Sequence, residues 1–328
     1  VLATIERVDK HVAKRVGEIR RFGTPGHGMR RLALSPDGRR LLTAGYDGCA
    51  RDWDIATGKE ISRLPSVGGT VYCVAIGPDG TKLVSCGADR LIRVWDAATG
   101  QEVKKLEGHT DEVIGVAISP NGQMVASSGY DCQLRVWSLD TGELIDSPAN
   151  AGGGQGVAFA PDGKLIATWG KDGIIRLWDV KDLKKEPRRL EGHKEWVTSA
   201  AFSRDGSRLL TGTWPSDGNG PEARPSEMKL WEVKTGELLR TIDLPPGDNA
   251  VGLAISPDGR QALSCGQAGF VRLWDLDRGK QITEFSGHVT LRAHVGSVQD
   301  VAFLPGGRTA VSVGDDFTIR LWRLRPPE

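Results

Sequence analysis

Seven tryptophans close seven near-identical phrases: ARDWD, IRVWD, LRVWS, IRLWD, MKLWE, VRLWD and IRLWR. They are Trp53, Trp95, Trp137, Trp178, Trp231, Trp274 and Trp322, separated by 42, 42, 41, 53, 43 and 48 residues. A unit that recurs at this period cannot bury a face alone and must stack on copies of itself. The period is too long for a leucine-rich repeat and suits a four-stranded unit. Each unit reads as strands. A β-rich run leads into SPDG (35–38, 256–259), GPDG (77–80), SPNG (119–122) or APDG (160–163). In these turns Pro presets φ, Asp or Asn bonds its own backbone, and Gly accepts a positive φ. A second run such as LLTAG or LVSCG follows, then the Trp strand, then ATG, DTG or KTG turns into a fourth strand such as KEISRL.

The seventh unit lacks its fourth strand, because the sequence ends shortly after its Trp at RLWRLRPPE. A spare lies at the other end: GEIRRF (17–22) sets Ile19 three before Phe22, as Ile61 stands to Leu64 and Val103 to Leu106. The expected domain is therefore a closed all-β ring over 17–325, with 17–22 completing the last unit, and 326–328 as a tail. Closure removes the open sheet edges that invite aggregation. Residues 1–16 stand outside the repeat. There Leu2, Ile5, Val8, Val12 and Val16 share one helical face, which predicts a short helix from an upstream domain or a plain lead-in.

Composition limits the function. Lys plus Arg (43) balance Asp plus Glu (42), without the basic excess of a nucleic-acid or membrane-surface binder. Five scattered cysteines, none spaced as CxxC, give no disulfide framework or zinc site. Their pattern favours a reducing compartment, so a cytoplasmic location is expected. No apolar run reaches membrane-span length and no signal-peptide pattern is present. The numbering opens at Val1 rather than Met, so the chain is expected to belong to a larger polypeptide, with the ring itself monomeric.

These phrases resemble the WD-repeat β-propellers, over residues 17–325 and in all seven units. The resemblance implies a seven-bladed propeller of four-stranded antiparallel blades. It also implies a hydrogen-bonded tetrad of His, a hydroxyl, a turn Asp and the Trp. Blade 3 matches in full with His109, Ser127, Asp131 and Trp137, and blade 7 with His294, Ser312, Asp316 and Trp322. The Asp-to-Trp spacing recurs at Asp47, Asp89 and Asp172, and the hydroxyl recurs as Thr43, Ser85 and Thr168. Blade 5 keeps His193, Thr211 and Trp231 without the turn, and blade 6 has Ala268 where the Asp belongs. Blades 2, 4 and 6 lack the His, and His27 is displaced from its slot. The frequent SPDG turns resemble bacterial members.

The stretch SSGYDCQLRVW (127–137) looks like raw material for an active site, but an acid repeated around a ring cannot be one catalytic group. Asp131 is read as structural, since a buried indole N–H, hydroxyl and imidazole all need partners. The basic residue two before each Trp (Arg51, Arg93, Arg135, Arg176, Lys229, Arg272, Arg320) is read the same way, with its stem packed on apolar surface.

Function should lie where the units differ. The resemblance places partner binding on the top face, formed by the d–a and b–c loops. The residue before the turn Asp is Tyr46, Ala88, Tyr130, Lys171, Gln267 or Asp315. The first residues of the inner strands, expected to face the channel, are Arg30, Tyr72, Ile114, Gln155, Thr198, Gly252 and Gln299. All three tyrosines of the chain fall on these positions, and Trp196 is expected exposed beside them. Tyr46, Tyr72, Tyr130, Trp196, Lys171, Arg30 and Trp214 are thus the candidate docking residues, because aromatic and Arg side chains dominate interface energetics. The blade 5 insertion TWPSDGNGPEARPSEMKLW (213–231) carries Asp217, Asn219 and Glu222, hard oxygen ligands that fall short of a calcium loop. His288, in a second insertion before His294, has no Cys or acid at ligand spacing and is read as a loop residue.

No GxSxG, HExxH or phosphate-cradling loop occurs, and no carboxylates pair at the expected channel positions. The reading is a non-enzymatic platform for a protein or peptide, without cofactor or bound metal. The alternative is a small-molecule or metal-binding propeller, possibly an enzyme, using the channel near Arg30, Tyr72 and Gln299. A third is a blade array that joins an upstream domain to an assembly.

Overall fold

The computed structural model describes residues 16–24, 28–66, 68–148, 152–215, 225–286 and 296–324. Residues 1–15 of the expected helix, and the tail, lie outside these. The described residues form 28 strands in seven four-stranded antiparallel sheets and contain no helix. Six sheets follow chain order, a to d from the axis outwards. The seventh has strand β1 (Gly17–Phe22) beside β28 (Ile319–Arg323), then β27 (Thr309–Gly314) and β26 (Val298–Phe303). Pairs such as Glu18 with Trp322 and Phe22 with Ile319 set its register, so the ring closes as the sequence predicts.

The repeated turn works as its residues require. Between strands a and b of blade 1, Asp37 Oδ1 accepts from the Ser35 hydroxyl at 2.6 Å and the Arg39 N–H at 3.0 Å. Gly38 takes a φ of 68° there. A matching arrangement recurs at Ser119 with Asn121 and at Ser256 with Asp258.

The core lies between blades. Each motif Trp packs into the blade before it: Trp95 against Leu42, Ala44 and Leu64, and Trp137 against Val84, Val94 and Leu106. Outer strands bulge opposite the Trp, which leaves Ile61, Val103 and Ile282 exposed while Leu64, Leu106 and Phe285 are buried. Ring closure copies this. Ile19 is exposed in the bulge of β1, and Phe22 meets Trp53 with ring centroids 5.8 Å apart. Phe285 meets Trp322 likewise at 5.6 Å.

Candidate docking face and central channel

All seven indoles are satisfied within their own blades. Each Trp Nε1–H donates to the strand-b hydroxyl, Thr43, Ser85, Ser127, Thr168, Thr211, Ser264 or Ser312, at 2.8–3.0 Å. In blade 3, His109 Nε2 lies 2.8 Å from Ser127 Oγ and its Nδ1 2.9 Å from Asp131 Oδ2. Burial pushes the Asp131 carboxyl up, but hydrogen bonds from His109 and Arg135 outweigh it and hold it well below the carboxylate range. Asp131 is a fixed anion inside a sealed network and has no proton to exchange near neutrality. His294 of blade 7 lies outside the described residues; there Trp322 donates to Ser312, and Asp316 pairs with Arg320.

The structure corrects two readings of these blades. The repeated basic residues act by charge rather than by stem packing alone. Arg93, Arg135, Arg176 and Arg320 pair with the Asp four residues earlier at 2.5–2.8 Å, and Arg51 pairs with Asp47 in the same way. In blades 1, 2 and 4 that pair holds the turn Asp with no tetrad His among the described residues. Blades 5 and 6 have not lost their carboxylates either. Glu227 stands 2.9 Å from His193 Nδ1 and 2.5 Å from Lys229. Asp248, from the d–a loop, pairs with Arg272 and accepts the Asn249 N–H, replacing the acid that Ala268 cannot supply.

The candidate docking residues come together at the end of the ring formed by the d–a and b–c loops. The Arg30 guanidinium sits 4.4 Å above the Tyr72 ring. Lys171 Nζ lies 4.6 Å over the Tyr130 ring and 5.1 Å over Trp196. Trp196 is half-buried rather than exposed, and is the cross-strand neighbour of half-buried Trp214. Tyr46 is 42% exposed on blade 1. Burial, with the hydrogen bond to Glu112, pushes the Tyr72 hydroxyl up to about 12, so it stays a donor at any physiological pH. Lys171 is exposed, and cation–aromatic contacts at exposed positions contribute about 0.5–1 kcal/mol each. The patch therefore runs from blade 1 to blade 5. Glu112 is the member that sequence reading missed; an acid just before a strand carries no signal of its own. Asp217, Asn219, Glu222 and His288 lie outside the described residues.

Five of the seven expected channel positions shift by one residue. Inner strands of five blades bulge at their first residues, as between Met29 and Arg31, Val71 and Cys73, and Val298 and Asp300. A bulge redirects the side chains that follow it. Arg30, Tyr72 and Gln299 consequently lie outside the cavity lining, whereas Arg31, Cys73 and Asp300 line it, together with the expected Ile114 and Gln155. The cavity measures about 680 Å³, with Ala33, Ala158 and Ala254 among its walls. Arg31 crosses it. Its Nη1 donates to the carbonyls of Val251 at 2.8 Å and Gln299 at 3.3 Å, and its Nη2 to that of Thr198 at 3.1 Å. One side chain of blade 1 thus ties blades 5, 6 and 7. Asp300 accepts the N–H groups of Leu32 and Val301, and burial raises its pKa despite the nearby Arg31 charge. Among the described residues no group of three or more His, Cys, Asp or Glu could hold a metal.

Comparison with known proteins agrees with this geometry. Residues 28–219, more than half of the chain, match the family model described as IFT122 first beta-propeller. Residues 236–275 and 279–323 match the WD domain, G-beta repeat. Human apoptotic protease-activating factor 1 is 32% identical over 111 residues, 32% of this chain and 8% of that protein. The target of rapamycin complex subunit wat1 of Schizosaccharomyces pombe is 36% identical over 86 residues, 26% of this chain and 24% of the relative. Autophagy-related protein 16 of Arabidopsis thaliana is 30% identical over 99 residues, 30% of this chain and 17% of the relative. The aligned segments thus span less than a quarter of each of these relatives. All three are eukaryotic, so the bacterial placement suggested by the SPDG turns finds no support in them. With seven satisfied Trp sites, a closed ring and a family model covering most of five blades, the chain belongs to the WD-repeat β-propellers, through the family of the IFT122 first beta-propeller.

Proposed function

We propose that this propeller is a non-enzymatic docking platform that recruits a protein or peptide on its top face. The observation that carries the reading is two groups of cation–aromatic contacts on that face: Arg30 on Tyr72, and Lys171 on both Tyr130 and Trp196. None of these side chains serves a tetrad, and each sits at or beside a strand end, where a rigid scaffold limits the entropy lost on binding. Tyr46 and Trp214 extend the patch at its two ends. The platform works as a monomeric ring.

The test is capture from source-cell lysate on the immobilised chain and on a Tyr46→Ala/Tyr72→Ala/Tyr130→Ala variant with an unchanged unfolding transition. A protein retained by the first and lost by the second supports the reading. Identical captured proteins on both would sink it. A second reading, a small molecule in the channel, has the cavity in its favour, although Arg31 and Asp300 are already engaged by backbone groups. Native mass spectrometry of the purified chain tests it, through a bound mass lost on unfolding.

A further inference from the structure

Of the five cysteines, two face each other. Cys73 of strand a and Cys86 of strand b are direct cross-strand partners in blade 2. Cys49 instead pairs with Pro65, Cys265 with Gly252, and Cys132 lies in a turn. Opposed residues on an antiparallel ladder have Cα atoms about 4.5–5.5 Å apart. A disulfide accepts about 4.4–6.8 Å. The two thiols also lie on one side of the sheet, packed with Val113 and Val116 of blade 3. Their exposure differs. Cys86 is buried, whereas Cys73 is half-buried and lines the central cavity. A small oxidant entering the channel meets the Cys73 sulfur with Cys86 directly behind it.

We propose that Cys73 and Cys86 form a peroxide-driven redox pair, with Cys73 the attacking sulfur and Cys86 the resolving one, closing a disulfide across blade 2. The Cys73 thiolate attacks one oxygen of hydrogen peroxide. The O–O bond breaks, leaving Cys73 as a sulfenic acid and releasing hydroxide, which takes up a proton to become water. The Cys86 sulfur then attacks the Cys73 sulfur. The S–O bond breaks, the S–S bond forms, and the Cys86 proton leaves with the hydroxyl as a second water. Two thiols give up two electrons and two protons, and the peroxide takes them.

The surroundings divide these roles. The neighbouring Cys86 thiol and the Arg31 charge pull the Cys73 thiol below its ordinary value against the effect of burial. Burial, then Cys73 itself, pushes the Cys86 thiol far up. Thiolate character together with access selects which cysteine a peroxide oxidises first. Tyr72 is the extra residue of the bulge that precedes Cys73, so the bond would pin the strand that presents this tyrosine. The pairing itself does not depend on the docking proposal.

Trypsin offers a direct test, because cleavage after Arg63, Lys82 and Arg90 puts the two sulfurs on separate peptides, 64–82 and 83–90. The reduced native chain is treated with hydrogen peroxide, free thiols are alkylated, and the digest is read by mass spectrometry without reduction. The expected product is the linked peptide pair, two hydrogens lighter than the sum of its parts. It should persist in Cys132→Ser and vanish in Cys73→Ser and Cys86→Ser. In the Cys86→Ser chain Cys73 should be left as a sulfenic acid trapped by dimedone. The proposal is overturned if both wild-type peptides stay separately alkylated at a dose that oxidises the exposed Cys132. It is overturned equally if Cys73 proceeds to sulfinic acid beside a free Cys86, or if Cys86 links to another cysteine. These wild-type results hold whether or not the variants fold.

Discussion

Replacing Asp248 by Ala should destabilise the propeller as much as the loss of a motif Asp, although no motif marks this residue. Asp248 is 4% exposed, accepts the N–H groups of Asn249 and Ala268, and is ion-paired with buried Arg272. Burial already pulls the Arg272 guanidinium below its usual range, a sign of how poorly water reaches it. Removing one partner of a buried ion pair costs about 3–5 kcal/mol, because the other charge is left unpaired. Arg272 keeps Glu284 at 3.4 Å, but that carboxylate is 46% exposed and screened by solvent. The expected loss is therefore near the lower bound, about 3 kcal/mol. With an unfolding entropy of about 2.1 cal/mol/K per residue over 328 residues, the Tm should fall by about 4 °C. Denaturant and thermal unfolding of Asp248→Ala, Arg272→Met and the double variant supply the cycle. The double variant should recover most of the single variant's loss, since it removes the orphaned charge. A single-variant loss below about 1 kcal/mol, or a double variant worse than either single, would refute the substitution of Asp248 for the missing motif acid.

Three further outcomes are expected. Phe22→Ala should cost about 2–3 kcal/mol in denaturant unfolding, a little less than a fully buried Phe, because Phe22 seals the closing blade against Trp53 while only half-buried. Arg31→Met should cost about 2–3 kcal/mol, through carbonyls of Thr198, Val251 and Gln299 left short of a donor, and hydrogen exchange should rise in blades 5–7 ahead of blades 2–4. Burial, against the opposing pull of Glu227, lowers the pKa of His193 from its ordinary 6.5. The unfolded chain then takes up a proton below pH 6.5 that the folded chain refuses, and stability drops as pH falls from there. His193→Gln should flatten that slope between pH 6.5 and 5, and an NMR titration placing His193 above 6.5 would reverse the sign.

The ring, the blade number and the closing strand were legible because the residues that build each blade sit on one continuous segment. Trp137, Asp131 and Ser127 span eleven residues, so a repeat exposes them at once. The carboxylates of blades 5 and 6 were hidden for the opposite reason. Glu227 stands beyond an insertion, and Asp248 comes from the loop before its blade, 20 residues ahead of Ala268. Arg30 and Arg31 show a second limit. Strand side chains alternate faces, so one extra residue in a bulge exchanges their destinations, and nothing in GMRRLALS marks where that residue falls. Asp52 is a third case. It is fully buried at a position where the neighbouring phrases carry Val or Leu, and only its partner Arg40, from the adjacent strand, explains it. The docking patch was legible as a set of residues. Its cation–aromatic contacts were not, since Lys171 meets Tyr130 and Trp196 only after three blades have stacked.

The closing blade also sets a timetable. Glu18 bonds to Arg320 across 302 residues of chain, so the strand made early finds its partner only when nearly everything between has been translated. At about 5–20 residues per second, the interval is on the order of 15–60 s. Throughout it Gly17–Phe22 has no ladder, and the nascent ring presents open edges of the kind that recruit other strands. Joining the ends of a 300-residue loop costs only about 5 kcal/mol in entropy, since that cost grows with the logarithm of length. The exposure is thus a matter of waiting rather than of equilibrium. Substitutions in GEIRRF should lower the yield of soluble chain from cells more than they lower the stability of the chain that is recovered.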